Sequence, residues 1–209
     1  MKDSREYFDS VAPEWDRIRE GYFSSGVRDK AIELAGINSE TIAADIGTGT
    51  GFMLEAIAPL AKKVIGVDNS PRMLSIAQSK LPEKLRPKVE FRLGEMDHIP
   101  LKDKEVNAVF ANMALHHAAD PLRAIKEMSR VCAPGGVVVI TDLDEHPHEW
   151  FRQDMADRWL GFQRQQVREW FLSAGFKEVE VGSAGCNCRC QDANGKAISV
   201  SIFCAKGLK

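Results

Sequence analysis

Apolar residues fall along this chain in two alternating rhythms. Short β-rich runs occupy residues 42–46, 64–68, 89–93, 106–111 and 137–141, and helical spacing fills the stretches between them. Ahead of the first run, residues 4–20 carry Tyr7, Phe8, Val11, Trp15 and Ile18 near helical spacing, and a second helix is predicted over 25–35. After the fifth run come a predicted helix at about 165–174, a strand around Val179, a turn rich in Gly, Cys and Asn, and a last strand over 197–205. Such alternation predicts an α/β fold, a mainly parallel sheet covered by helices on both faces. No repeat or low-complexity linker interrupts it, so the chain reads as one domain.

The first run is T-I-A-A-D-I-G-T-G-T-G, from Thr41 to Gly51, and the second ends V-I-G-V-D at Asp68. Glycines at 47, 49 and 51 let backbone approach a nucleoside with no Cβ in the way. A carboxylate about 20 residues further on, Asp68, suits a ribose diol. The spacing is G-x-G-x-G rather than the G-x-G-x-x-G of a dinucleotide site, and Phe52 stands where the last glycine would open a helix onto a pyrophosphate. Asp45, two residues before Gly47, is poorly placed beside a phosphate and well placed to meet a cation. S-adenosylmethionine (SAM) offers an ammonium, a sulfonium and a ribose, and no phosphate.

Bulk properties narrow the class without naming it. The 209 residues suffice for one α/β core, and a net charge of -2 gives no electrostatic reason to expect nucleic acid. No apolar run approaches the roughly 20 residues of a membrane span, and the first residues do not read as a signal peptide. Five cysteines without an export signal suggest reduced thiols in a cytoplasm.

From about residue 4 to 140, motifs in order resemble those of the class I SAM-dependent methyltransferases, in particular the ubiquinone/menaquinone-biosynthesis-like, type 11 group. Besides the glycine loop they are Y-F-D-S-V-A-P-E-W-D at the start, G-E-M-D-H-I-P at 94–100, V-F-A-N-M-A-L-H-H ending at His117, and S-R-V-C-A-P-G-G ending at Gly136. The resemblance implies a Rossmann-like, seven-stranded sheet whose last two strands form an antiparallel hairpin. It implies a helical lid over residues 1–35, a cofactor-binding core over 36–145, and substrate-side helices with the hairpin over 146–209. Asp45, Gly47, Gly49 and Gly51 would then cradle the methionine end, and Asp68 the ribose, with Asn69 and Met73 beside it. Glu95 and the amide of Met96 would meet the adenine, Asn112 would border the methyl-transfer site, and Tyr7 and Trp15 would shield the sulfonium from the lid. S-adenosylhomocysteine would be the product.

Methyl transfer from a sulfonium is an in-line displacement that needs proximity, orientation and dryness more than a catalyst. Where an acceptor arrives protonated, His116 at the fourth strand's end and His146 in D-L-D-E-H-P-H-E-W are the candidate bases. Trp150, Phe151, Met155, Trp159, Leu160 and Phe162 supply either a pocket lining or core. Cys186, Cys188 and Cys190 alternate, so in a strand all three share a face at roughly 7 Å intervals. They read as ordinary small hairpin residues or as a soft-metal or metalloid site. The expected activity is therefore SAM-dependent methylation of a small molecule. The alternatives are methylation of arsenite, a soft metalloid or a thiol at the cysteines, a non-catalytic SAM- or metal-binding protein, and a nicotinamide-dependent oxidoreductase. The expected partners are the methyl acceptor and, in a homodimer, a second copy, without nucleic acid or membrane insertion.

Overall fold

The computed structural model describes residues 4–191 and 194–209. Five strands run parallel: β1 (Ile42–Ile46), β2 (Lys63–Asp68), β3 (Val89–Leu93), β4 (Val106–Asn112) and β5 (Cys132–Leu143). Two more, β6 (Lys177–Gln191) and β7 (Ala197–Leu208), complete the order β3-β2-β1-β4-β5-β7-β6, with β7 antiparallel to both neighbours. This is the Rossmann-like seven-stranded sheet with a C-terminal antiparallel hairpin that the motifs imply.

The helices are α1 (Ser4–Val11), α2 (Trp15–Glu20), α3 (Gly26–Ala35), α4 (Phe52–Ile57), α5 (Pro71–Lys80), α6 (Pro121–Val131), α7 (Trp150–Asp154) and α8 (Arg164–Ser173). Local chemistry fixes where two of them begin. Ser70 and Asp120 accept hydrogen bonds from the backbone of Met73 and Arg123, and Pro71 and Pro121 follow at the first helical position. Successive strand residues feed opposite faces, so Val109 packs with Ile46, Met128 and Phe171 while Phe110 packs with Val27, Leu54 and Val139. Among the described residues no helix is long and apolar enough to cross a membrane.

Three segments depart from the sequence expectation. The N-terminal helical stretch is broken at Ala12–Glu14 by a short 3-10 turn containing Pro13. β5 begins at Cys132, upstream of the expected 137, because the Pro-Gly-Gly turn is absorbed as a bulge: Cys132 pairs with Val106 and Val137 with Ala108. β6 likewise runs through the expected Gly/Cys/Asn turn. Its register with β7 shifts between Ser183 and Asn187, where Gly185 takes a φ of 77°. Asp192 and Ala193, at the end of that stretch, lie outside the described residues.

The order reverses between β1 and β4, and ligands in open α/β sheets bind at the carboxyl ends of strands beside such a reversal. A cavity of about 410 Å³ opens at that place, with residues of α1 and α2 forming part of its wall.

Candidate functional site

The turn leaving β1 builds the cavity floor. The amides of Gly47 and Thr48 both donate to the Val67 carbonyl, at 2.8 and 2.9 Å, which folds the loop across the end of β2. Gly47 takes a φ of 72°, and a Cβ there would lie 2.6 Å from the Ala114 Cβ. The cradle therefore admits glycine and closes against anything larger. Gly49, at φ 53°, lies under the Trp15 indole, whose nitrogen would be 3.7 Å from an added Cβ.

Asp68 ends β2 with both oxygens held. Its Oδ2 accepts from the Gly49 amide at 2.8 Å and its Oδ1 from the Ser70 amide at 2.9 Å. Each oxygen keeps acceptor capacity for a diol. Burial, with the charge of Glu95, raises its pKa to about 6. Beyond it Asn69 donates to Glu95 at 3.0 Å, tying together two positions expected along the adenosine. Asp45 is buried and accepts the Thr48 hydroxyl at 2.7 Å. Burial, and the nearby Asp68, raise its pKa to about 7, so the site favours a cation that would restore the carboxylate.

The wall from α1 and α2 is aromatic and cationic. Phe8 meets Trp15 and His117 edge to face, at centroid distances of 5.1 and 4.8 Å. The Arg19 guanidinium stands 4.0 Å from the centre of the Phe52 ring, and its Nε is buried without a hydrogen-bond partner. The guanidinium also lies 3.5 Å from Glu20, and its spare Nε, in a cavity that also holds Asp45, matches the two ends of an α-amino acid. At the far end Asn112 accepts the Thr141 hydroxyl at 2.7 Å, and Met113 takes a φ of 51° beside the cavity.

The cavity thus gathers Trp15, Asp45, Gly47, Gly49, Asp68, Asn69, Met73, Glu95, Met96 and Asn112 of the expected set. Four expected positions do not line it. Gly51 begins α4, where an added Cβ would meet Ala77 at 3.5 Å. The Tyr7 hydroxyl donates to Met155 Sδ at 3.7 Å, and Phe8 reaches the cavity in its place. His116 lies behind His117, its Nδ1 2.7 Å from Asp142. His146 packs on His148 and Phe151, and burial lowers its pKa to about 4. Of the segment after β5 only Arg158 lines the cavity, while Phe151 and Phe162 are core. The cysteine trio lies elsewhere, against the apolar cluster of Val27 and Leu54. Burial raises the Cys188 thiol to about 12. Arg19 went unremarked in the sequence, although it follows Trp15 by four positions and so shares its helical face.

Known proteins share parts of this sequence and its fold. A family described as a methyltransferase domain matches residues 44–140. The chain is 30% identical over 174 residues to the chloroplastic 2-methyl-6-phytyl-1,4-hydroquinone methyltransferase of Spinacia oleracea, a match covering 80% of this chain and 49% of that one. It is 38% identical over 103 residues to the arsenite methyltransferase of Halobacterium salinarum, covering 47% of this chain and 26% of the relative. The chain thus spans about half the length of the hydroquinone methyltransferases it matches. In fold it resembles a SAM-dependent methyltransferase from Aquifex aeolicus, with a TM-score of 0.69, 21% identity, and 96% and 97% of the two chains covered. Residues 44–140 thus carry a methyltransferase domain, set in a fold shared with a SAM-dependent methyltransferase.

Proposed function

We propose that this protein methylates a small molecule, using SAM bound in the cavity at the ends of β1, β2 and β4. The observation that carries the reading is the paired anchoring of Asp68 by the Gly49 and Ser70 amides, beside a turn that only glycine fits. In this reading Asp68 takes the ribose hydroxyls and Glu95 with the Met96 amide takes the adenine. Asp45 and Arg19 take the ammonium and carboxylate of the methionine end. Phe8 and Trp15 cover the sulfonium, which their π faces favour.

When bound, the cofactor supplies an electrophilic methyl group. The residues around it bind, orient and exclude water, which is what a displacement of this kind asks of a protein. The acceptor enters on the side of Asn112, Met113 and His117. Burial and the neighbouring His116 hold the His117 pKa well below its ordinary value, so its imidazole is neutral. Methylation at the cysteines fits less well. They pack under the hairpin rather than on the cavity, and burial holds the Cys186, Cys188 and Cys190 thiols protonated.

Calorimetric titration with SAM, S-adenosylhomocysteine and NAD tests the cofactor. Saturable binding of the first two and none of NAD is expected, and the reverse pattern overturns the reading. An acceptor screen led by hydroquinones and other small phenols then separates an enzyme from a sensor that binds SAM without turnover.

A further inference from the structure

Behind the cavity wall lies a buried group of polar side chains that binding of a nucleoside does not use. His116 Nδ1 donates to Asp142 Oδ1 at 2.7 Å, and Asp142 also accepts the backbone amides of His116 and Leu143. Asp142 is thus fully engaged, and it turns the other imidazole nitrogen, Nε2, toward Asp157. That nitrogen stops 3.6 Å from Asp157 Oδ1, beyond hydrogen-bond length. His117 Nδ1 lies 4.0 Å from the same oxygen and 3.2 Å from the Ala156 carbonyl.

Asp157 is the anomaly. It is 2% exposed, and neither carboxylate oxygen has a hydrogen-bond partner among the described residues. Its position is nonetheless enforced. Ala156 takes a φ of 57°, and the amides of Arg158 and Trp159 both donate to the His116 carbonyl, at 3.1 and 3.0 Å. The backbone therefore presses an unsatisfied carboxylate against two imidazoles, a juxtaposition that carries a large desolvation penalty unless a positive charge lies between them.

We propose that His116, His117 and Asp157 form a binding site for a divalent transition ion of the zinc, cobalt or iron(II) class. One donor atom from each lies within 4.8 Å of the others. Around an ion with bonds of about 2.0–2.1 Å, tetrahedral ligands sit roughly 3.3 Å apart, so closure draws the donors inward and, if His117 Nδ1 is the ligand, releases it from the Ala156 carbonyl. Two imidazoles and one carboxylate are a donor set that borderline ions prefer and that the oxygen-seeking magnesium and calcium do not. Asp142 stands as the outer carboxylate that fixes the tautomer of a ligating histidine. A buried set of two carboxylates balances the ion's double charge once His116 is neutral. Three protein ligands leave a coordination position open, as catalytic zinc sites do, and the group reaches the cavity through His117. The proposal does not depend on which molecule the cavity binds.

The test uses the full chain, reduced and stripped with a chelator. Zinc is titrated by calorimetry, and cobalt(II) by its visible absorption. One equivalent is expected to bind, with the cobalt band reporting nitrogen and oxygen ligation without thiolate charge transfer. Asp157→Asn should weaken binding by about tenfold or more, and Asp142→Asn by about 10–100-fold as an outer-shell change. Cys188→Ser should leave it unchanged. Cooperative thermal unfolding of each variant shows that it is folded, and Asp157→Ala serves as a second probe if the asparagine fails that check. Absence of saturable uptake by the folded wild type, unchanged uptake in folded Asp157 variants, or loss in Cys188→Ser alone each overturns the proposal.

Discussion

The Gly49 amide donates to the Asp68 carboxylate at 2.8 Å, so the glycine turn and this acid form one unit rather than two neighbouring motifs. Asp68→Asn keeps the size of the side chain and presents an amide nitrogen where one of two amides expects an acceptor. It also removes charge-assisted bonds of about 1.5–3 kcal/mol to a hydroxyl. Calorimetry should show SAM affinity falling roughly tenfold to a hundredfold. Wild-type affinity in this variant would remove Asp68 from the site.

Gly47→Ala introduces a methyl 2.6 Å from the Ala114 methyl at a φ of 72°. The backbone strain alone costs about 1–2 kcal/mol, and the clash tilts the turn. Both Tm and SAM affinity should fall. Pairing it with Ala114→Gly removes the clash and leaves the strain, so the double variant should recover cofactor affinity more fully than Tm. Equal recovery of the two would mean that the turn does not shape the cradle.

The raised acids make a prediction in two signs. Asp45 at about 7 and Asp68 at about 6 are held above their ordinary value by burial. Their contribution to stability in the cofactor-free protein is therefore complete below about pH 4 and lost as pH rises through 6 to 7. Asp45→Asn should then stabilise that form at pH 8 by at most a few kcal/mol, at roughly 1.4 kcal/mol per pKa unit. Cofactor binding runs the other way, because an ammonium and a diol both want carboxylates. SAM affinity should fall as pH drops through 7 to 6, with uptake of protons on release. Calorimetry in buffers of different ionisation enthalpy measures both effects.

Cys188 is 2% exposed and its thiol titrates near 12. A thiol reagent at pH 8 should leave it unmodified in the folded protein and modify it after denaturation. Cys188→Ser buries an unpaired hydroxyl and should cost about 1–3 kcal/mol of stability with SAM affinity unchanged. Rapid labelling of the native thiol would contradict its packing.

What the sequence disclosed was whatever repeats locally. Strands β1 to β4 are short runs with their own turns, so their bounds are read within a residue or so, and the glycine spacing argues against a pyrophosphate. Over β6 the sequence predicts a strand and then a turn, because Gly185 and Asn187 look like turn chemistry. Pairing with β7 keeps the segment extended despite the bulge at Gly185, a decision made by a neighbouring strand rather than by these residues. Asp157 gave no signal at all. Its significance comes from the fold laying residues 156–159 over His116, some forty positions away, and no local pattern encodes that. The exchange of Tyr7 for Phe8 is finer still, one step of helix phase.

The carboxylates of Asp68 and Glu95 along the cavity have a consequence for what the protein ignores. Cells hold adenine nucleotides in large excess over SAM, and these share its adenosine. A phosphate brought toward Asp68 and Glu95 meets negative charge. The Gly49 amide, which in a dinucleotide site would face the pyrophosphate, is already committed to Asp68. The same hydrogen bond that holds Asp68 in place therefore works as a filter, withholding from a phosphate the amide it would otherwise use.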